Sequence, residues 1–173
     1  MDKSFTLIEM VVVIAITGII SGLVLANMRV GGQIRDLNSD AEKLAGIIKQ
    51  AQMMALSGKQ INSSRPPGGY GVYLTADSYK LFADDYDNDG EHQYDDGDDT
   101  VIQTFNFTEH VKASDFNYYF TIFFPPKGLV YVGTTNPGVE LSGTDLIILK
   151  HDSNRYVYIE VNAQGQVDVR KTQ

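Results

Sequence analysis

Residues 10–28 read Met-Val-Val-Val-Ile-Ala-Ile-Thr-Gly-Ile-Ile-Ser-Gly-Leu-Val-Leu-Ala-Asn-Met, 19 residues without a charged side chain. A helix of that length spans about 28 Å, the thickness of a bilayer core. A secretory signal peptide is the alternative, but its apolar region has about 7–15 residues and precedes a small-residue cleavage site. This run is longer, and no convincing site of that kind follows it. The stretch therefore predicts one transmembrane helix.

A carboxylate stands at the start of the apolar run. Glu9 follows Phe5-Thr-Leu-Ile8 and precedes the uncharged residues. An acidic group at the edge of a membrane span either lies in the solvated interface or has a specific functional partner. Its position alone leaves both interpretations open.

The order Lys3-Ser-Phe-Thr-Leu-Ile-Glu-Met10, followed by an apolar run, resembles the N-terminal signature of type IV pilins and type II secretion pseudopilins. The resemblance implies a short leader, residues 1–4, that a prepilin peptidase removes after Ser4, and an N-methylated new terminus at Phe5. It also implies that Glu9 pairs with the terminal amine of a neighbouring subunit during assembly. Inside a filament core, a buried carboxylate and a buried ammonium each need the opposite charge. This chain has Ser4 where the family normally has Gly, and its apolar segment lacks the family's usual proline.

A second helical pattern follows the apolar run. Steps of three and four residues separate its apolar positions, which are Ile34, Leu37, Ala41, Leu44, Ile48, Ala51 and Ala55. This spacing predicts one apolar stripe that faces a protein core. An independent coiled coil is disfavoured, because alanine occupies three of the stripe positions and the run is short. Gly58 is the expected C-cap of the helix.

The rest of the chain, residues 59–173, predicts a β-rich domain. Strand-like runs alternate with turn residues, and the predicted strands are Tyr70–Leu74, Tyr79–Ala83, Val101–Phe107, Tyr119–Phe124, Leu129–Val132, Leu146–Lys150, Tyr156–Val161 and Val167–Arg170. Hairpin turns are expected at Asp152-Ser-Asn154 and at Asn162-Ala-Gln-Gly165.

The expected fold class is α+β, because no helical pattern interrupts the strands. A long N-terminal helix, transmembrane over residues 5–28 and amphipathic over residues 29–58, packs on an antiparallel β-sheet domain or a small β-sandwich. This order of elements resembles pseudopilin H and its minor-pilin relatives. So do the stretches Gly69-Tyr-Gly-Val-Tyr73 and Val161-Asn-Ala-Gln-Gly-Gln-Val167.

The charge of the chain is concentrated in one segment. The formal net charge is −8, from 14 Lys and Arg against 22 Asp and Glu, and the segment from Asp84 to Asp99 holds nine of the acids and no Lys or Arg. The remainder is close to neutral, which argues against a nucleic-acid binder driven by bulk charge. The absence of cysteine excludes disulfides, thiolate catalysis and zinc–thiolate or iron–sulfur sites.

Within that segment, Asp85-Tyr-Asp-Asn-Asp-Gly-Glu-His-Gln-Tyr-Asp-Asp96 follows the calcium-loop spacing D-x-D-x-[DN]-G-x5-E, with Asp at the last position. Side chains at positions 1, 3 and 5 converge on a hard cation, the sixth-position Gly makes the turn, and the seventh residue offers its carbonyl. The predicted Ca²⁺ ligands are Asp85, Asp87, Asp89, the carbonyl of Glu91, and Asp96. Because strands flank the loop, it is not an EF-hand domain. The alternative is a solvated acidic hairpin tip.

These features favour a structural subunit of a type IV pilus or a type II secretion pseudopilus. The resemblance implies several partners: other pilin or pseudopilin subunits, a prepilin peptidase, an assembly platform in the inner membrane, and membrane lipid. The expected location is the bacterial inner membrane, crossed once, with the β-domain extracytoplasmic and the chain later part of a periplasmic or surface filament.

Two other functions are weighed against this one. The first is a minor pilin that binds DNA or a secreted substrate at a filament tip. DNA is disfavoured, because only Arg170 and Lys171 are basic near the C-terminus of an acidic protein. The second is a calcium-dependent secreted enzyme with an uncleaved anchor. The sequence holds no Ser/His/Asp signature, no G-x-S-x-G motif and no phosphate-binding glycine loop, so we expect no catalytic residues.

Overall fold

The computed structural model describes residues 6–61, 68–84, 94–97, 99–114, 120–124, 129–133 and 139–171. It divides into two units, Met1–Arg35 and Asp36–Gln173, and each is described by itself. One helix and ten strands are described: α1 Leu7–Ser57, β1 Gly69–Leu74, β2 Ser78–Asp84, β3 Thr100–Asn106, β4 Val111–Ser114, β5 Phe120–Phe124, β6 Leu129–Gly133, β7 Val139–Glu140, β8 Thr144–His151, β9 Arg155–Asn162 and β10 Val167–Lys171.

The first unit is the N-terminal part of α1. The segment Leu7–Leu25 is long and apolar enough to cross a membrane, judged by its length and composition. Its large apolar side chains are all exposed within the chain. The helix continues through Gly18 and Gly22 without a break. A surface of this composition is stable only in lipid or against other apolar surfaces.

In the second unit, α1 buries the stripe that its spacing predicts. The buried positions are Leu37, Ala41, Leu44, Ile48, Ala51 and Ala55. Ile34, at the N-terminal end of the predicted stripe, lies in the first unit and is exposed. The expectation of a core-facing helix is therefore confirmed from Leu37 onward.

The helix ends at the predicted glycine. Gly58 has a φ of 61°, a left-handed conformation that costs glycine little. Its N–H donates to the carbonyl of Ala55 at 3.2 Å, and the N–H of Lys59 donates to the carbonyl of Met54 at 3.2 Å. These two bonds form a Schellman motif, which satisfies carbonyls that the end of the helix leaves without partners.

The strands form two antiparallel sheets. The six-stranded sheet has the order β3-β2-β1-β5-β6-β7, and the four-stranded sheet has the order β10-β9-β8-β4. One hydrophobic cluster contains residues of α1 and of both sheets, including Leu44, Val72 and Ile159. The α+β class and the antiparallel arrangement are therefore as predicted.

All eight predicted strands are present, with ends that differ by at most a few residues. Both predicted hairpin turns also form, between β8 and β9 and between β9 and β10. Asn154, in the first turn, and Gly165, in the second, adopt positive φ values. The sequence patterns missed two strands, β4 and β7, which are only four and two residues long.

A buried carboxylate joins the helix to the segment after β3. Asp40 Oδ2 accepts a hydrogen bond from the Thr108 N–H at 2.6 Å, and Asp40 Oδ1 lies 3.1 Å from Lys43 Nζ. Tyr79 stacks nearby on Phe105. Burial, together with the charge of Asp40, raises the pKa of Tyr79 to about 12. Its hydroxyl therefore stays protonated at all physiological pH values.

A second buried carboxylate lies on β8. Asp145 is 5% exposed, and its Oδ1 accepts the Leu146 N–H at 2.8 Å. Its Oδ2 has no hydrogen-bond partner in the described structure. Burial raises the pKa of Asp145 above its ordinary value of 3.8, because the interior disfavours the charged form.

We predict that Asp145→Asn stabilises the protein at pH 7. The pKa of Asp145 is higher in the folded than in the unfolded protein, so the wild type loses stability as the pH rises from 3.8 through the folded-state pKa. Well below pH 3.8 the carboxyl is neutral in both the folded and the unfolded protein, and no such loss occurs. The gain should be about 1 kcal/mol at pH 7, as expected when a buried charge lacks a partner, and should vanish near pH 3. The measurement is thermal melting of the full-length chain in detergent, followed by tyrosine near-ultraviolet circular dichroism. The exposed Asp168→Asn is the control, and an unchanged pH dependence in Asp145→Asn would refute the prediction.

Candidate functional site

The N-terminal candidate site is the first turn of α1. The helix begins at Leu7, so Thr6 is its N-cap and Glu9 its third residue. Glu9 Oε2 accepts hydrogen bonds from the Thr6 N–H and from Thr6 Oγ1, both at 2.8 Å. In return, the Glu9 N–H donates to Thr6 Oγ1 at 3.4 Å. This is a capping box, in which the cap and the third residue satisfy each other's backbone donors.

Glu9 therefore has a local role that the sequence analysis missed, although Thr6-Leu-Ile-Glu9 before an apolar run is the capping-box spacing. Both Thr6 bonds go to Oε2, and no described residue donates a hydrogen bond to Oε1. The carboxylate is exposed, with Ile8 and Met10 beside it also exposed. The other two residues assigned to this site, Ser4 and Phe5, lie outside the described residues.

The second candidate site is the acidic segment between β2 and β3. Four of its five predicted calcium ligands, Asp85, Asp87, Asp89 and Glu91, lie outside the described residues. The fifth, Asp96, is described, and its side chain is exposed. Its Oδ1 accepts a hydrogen bond from the Tyr94 hydroxyl at 2.9 Å and lies 3.7 Å from Lys80 Nζ.

Tyr94 attaches this segment to the six-stranded sheet. Its ring stacks on Tyr73 with centroids 4.4 Å apart and meets Phe82 edge-on at 4.9 Å. Phe82 is fully buried, in a small cluster with these two tyrosines that is separate from the main core. Since Phe82 lies on the face of β2 opposite Leu81, the Tyr94 ring covers apolar surface that the main core does not reach.

Lys80 supplies a positive charge at this point. Its Nζ donates to the Tyr94 hydroxyl at 3.0 Å and lies 5.1 Å from the centroid of the Tyr94 ring. The hydrogen bond with Tyr94 and the nearby charge of Asp96 raise the pKa of Lys80. Burial raises the pKa of Tyr94. The acidic segment itself contains no Lys or Arg. The fold brings Lys80 of β2, 14 residues before Tyr94, next to it.

The end of the segment is a tight turn. The Asp95 N–H donates to Asp99 Oδ2 at 2.8 Å, and the Asp99 N–H donates to the Asp95 carbonyl at 3.1 Å. Gly97, between them, has a φ of 114°. Within the described ranges, no group of three or more His, Asp or Glu side chains is arranged to hold a metal ion. The described end of the segment therefore does not form a metal site without the residues before it.

Two histidines that are far apart in sequence, His110 and His151, lie close together. His110 Nδ1 lies 2.9 Å from Asp152 Oδ2, and the His110 and His151 rings are 6.0 Å apart. His151 Nδ1 accepts a hydrogen bond from the Ser153 N–H at 3.1 Å and lies 2.9 Å from the Ser153 hydroxyl oxygen. No local pattern predicts the pairing of His110 with Asp152, because 42 residues separate them.

The two basic residues near the C-terminus both pair with carboxylates of this chain. Arg170 Nη2 lies 2.8 Å from Glu160 Oε2, and Lys171 Nζ lies 3.1 Å from Glu42 Oε1. These pairs reduce the positive charge available to a nucleic acid. No observation here favours the DNA-binding alternative.

Comparison with protein-family models gives a match at the N-terminus. Residues 1–25 match the family model described as the prokaryotic N-terminal methylation motif. The chain carries a prepilin-type methylation motif. This motif supports a type IV pilin-like protein, which in general interacts with other pilin subunits and with a prepilin peptidase, and it favours a structural subunit over an enzyme. Together with the apolar segment Leu7–Leu25, it fits anchoring in a membrane. No curated protein and no solved structure matches the chain.

We predict that Tyr94→Ala destabilises the β-sheet part, whereas Tyr94→Phe does so much less. The alanine variant uncovers Phe82 and loses the stack on Tyr73, at a cost of about 2–3 kcal/mol. The phenylalanine variant keeps both ring contacts and loses only hydrogen bonds, at a cost of about 1 kcal/mol or less. Chemical denaturation of the full-length variants in detergent measures both values. Equal losses in the two variants would show that the hydroxyl, and not the ring, attaches the segment.

Proposed function

We propose that this protein is a structural subunit of a type IV pilus or a type II secretion pseudopilus. The observation that carries the proposal is the methylation motif on residues 1–25, placed at the start of an exposed apolar helix. In this proposal the chain is first held in the inner membrane by that helix, with the β-sheet part outside the cytoplasm. An assembly platform then moves it into a filament whose core the helix forms.

Glu9 guides assembly in this proposal. Its Oε2 is engaged by Thr6, while its Oε1 accepts a hydrogen bond from the N-terminal ammonium of a neighbouring subunit. A charge pair in an apolar core is stable only if both members are present. A subunit in the wrong register would leave a carboxylate and an ammonium unpaired, so the pair selects one register.

The β-sheet part faces outward in the filament. The order of elements in the described residues, one long helix followed by strands, supports placing the chain in the pseudopilin H branch. The calcium-loop spacing from Asp85 to Asp96 supports a bound Ca²⁺ in the acidic segment. Such an ion would offset the repulsion among the nine acids of this segment. In the described structure, Lys80 is the cation that lies beside one of them, Asp96. The ion would also cross-link a chain without cysteines.

The role of Glu9 is tested by Glu9→Ala and Glu9→Gln. Glutamine retains an acceptor for the Thr6 capping bonds but carries no charge, whereas alanine removes both. If the charge pair directs assembly, both variants should enter filaments at least about tenfold less than the wild type, while their amounts in the membrane stay unchanged. Filaments sheared from cells and the membrane fraction are compared by immunoblot.

The two variants separate charge from helix capping. Normal assembly of Glu9→Gln with loss of assembly in Glu9→Ala would assign Glu9 a capping role only. Normal assembly of both would contradict any role for Glu9 in filament formation.

Calcium binding is tested by thermal melting of the full-length chain in detergent. The ten tyrosines all lie between Tyr70 and Tyr158, so their near-ultraviolet signal reports the β-sheet part. For a dissociation constant of about 0.5 mM, 5 mM Ca²⁺ stabilises the folded state by about 1.4 kcal/mol. This corresponds to a rise in Tm of a few degrees.

Magnesium at the same concentration is the matched control, because it provides the same charge but demands a smaller octahedral site. The double substitution Asp87→Asn and Asp89→Asn should abolish the calcium effect, whereas Asp168→Asn, outside the segment, should not. A melting curve that calcium and chelator leave unchanged would rule out the site.

A further inference from the structure

The turn between β8 and β9 holds a buried histidine in one protonation state. His151, the last residue of β8, is 5% exposed. Its Nδ1 accepts a hydrogen bond from the Ser153 N–H at 3.1 Å and lies 2.9 Å from the Ser153 hydroxyl oxygen. A backbone N–H can only donate, so Nδ1 carries no proton. The His151 ring is therefore neutral, with its proton on Nε2.

The surroundings of His151 do not compensate a positive charge. Within the described part of the chain, no carboxylate makes a hydrogen bond or an ion pair with its ring. Arg155, the first residue of β9, lies directly opposite His151, and on β4 the opposite residue is the uncharged Val111. Side chains that lie directly opposite in an antiparallel pair share one face of the sheet. A proton on His151 would therefore break the bond from Ser153 and place a buried cation beside a second one.

The neighbouring histidine has the opposite surroundings. His110 Nδ1 lies 2.9 Å from Asp152 Oδ2, its Nε2 lies 3.9 Å from Glu109 Oε1, and its side chain is 57% exposed. Two carboxylates and solvent thus accommodate a protonated His110 without the loss of a contact. Because the two rings are 6.0 Å apart, a proton on His110 also adds a cation near His151.

We propose that protonation of His151 opens the turn between β8 and β9, so that this end of the four-stranded sheet is an acid-sensitive switch. Histidine is the side chain that ordinarily changes its charge between about pH 5 and 8. The protonated ring leaves its buried position for solvent, and the Ser153 N–H exchanges its bond with Nδ1 for one with water.

The opening also affects the segment before β4. The Asp152 N–H donates to the carbonyl of His110 at 3.0 Å, and Val111 pairs with His151. An open turn therefore releases His110 and the first residue pair of β4, while the central part of β9 stays in the core. This effect of acid is opposite in sign to that of Asp145, so a measurement local to the turn is needed.

Amide hydrogen exchange of the full-length chain in detergent, resolved by residue, measures the opening. Division of each rate by the intrinsic exchange rate at the same pH gives a protection factor. Between about pH 7.5 and 5.5, the protection factor of the Ser153 amide should fall at least about tenfold in the wild type. That of Ile159, which is fully buried in β9, should change by less than about twofold.

Two variants identify the histidine responsible. His151→Asn places a side-chain oxygen where Nδ1 lies, and such an oxygen accepts the N–H two residues later but does not titrate. Its Ser153 amide should be equally protected at both pH values. The matched control is His110→Asn, because asparagine tolerates the positive φ of 72° at this position. This variant should keep most of the wild-type fall.

The wild-type measurement tests the proposal even if a variant does not fold. Equal Ser153 protection at both pH values in the wild type would overturn the proposal, and so would a parallel fall at Ile159, which indicates global unfolding. A fall that His151→Asn retains, or one that His110→Asn alone abolishes, would also overturn it, because the switch would then not be His151.

Discussion

Burial of one stripe of α1 is the constraint on which the β-sheet part depends. Leu44, Ile48 and the alanines around them are almost inaccessible to solvent and belong to the same hydrophobic cluster as both sheets. Alanine at three of the stripe positions lets strands approach the helix closely, while leucine and isoleucine supply apolar volume. Without the helix, residues such as Tyr70, Val130 and Ile159 would lose packing partners. The hydrogen bond from the Thr108 N–H to the buried Asp40 adds a polar contact between this helix and the segment after β3.

The N-terminal part of the same helix, Leu7–Leu25, has a different pattern. There, apolar residues occupy every face, and none of the described large ones is buried within the chain. A helix that is apolar all round needs an apolar environment on every side, whereas a stripe needs it on one side only. The change of pattern along α1 therefore marks a change from a segment that needs apolar surroundings outside the chain to one that packs in the chain's own core. The capping box of Thr6 with Glu9 starts the first part, and the Schellman motif at Gly58 ends the second.

Local patterns predicted most of the fold and the N-terminal methylation motif, while the individual site residues stay predictions. The three-four spacing predicted the buried positions from Leu37 onward, and the turn residues at Asn154 and Gly165 predicted two hairpins. β4 was missed because Val111-Lys-Ala-Ser114 has no strand signal of its own and becomes a strand by pairing with β8. For the same reason, no pattern showed that β1 lies beside β5 or that Lys80 meets Tyr94. The contact of Glu9 with Thr6 is readable from the sequence because the two residues lie in one helical turn, whereas the contacts of Asp96 and His110 depend on residues brought together only by the fold.

The pairing of β4 with β8 also bears on the order in which this protein is made. A ribosome releases α1 first and the six-stranded sheet next, but β4 must wait for β8, which lies far along the chain. The four-stranded sheet, which contributes Leu149, Ile159 and Val161 to the core, is completed only by the last strands to be synthesised. Until then, the apolar stripe of α1 is only partly covered and β4 has no partner. The nascent chain therefore exposes apolar surface until β8–β10 are made, and such surface is recognised by chaperones and proteases. A chain that ends before β8 would keep this surface exposed.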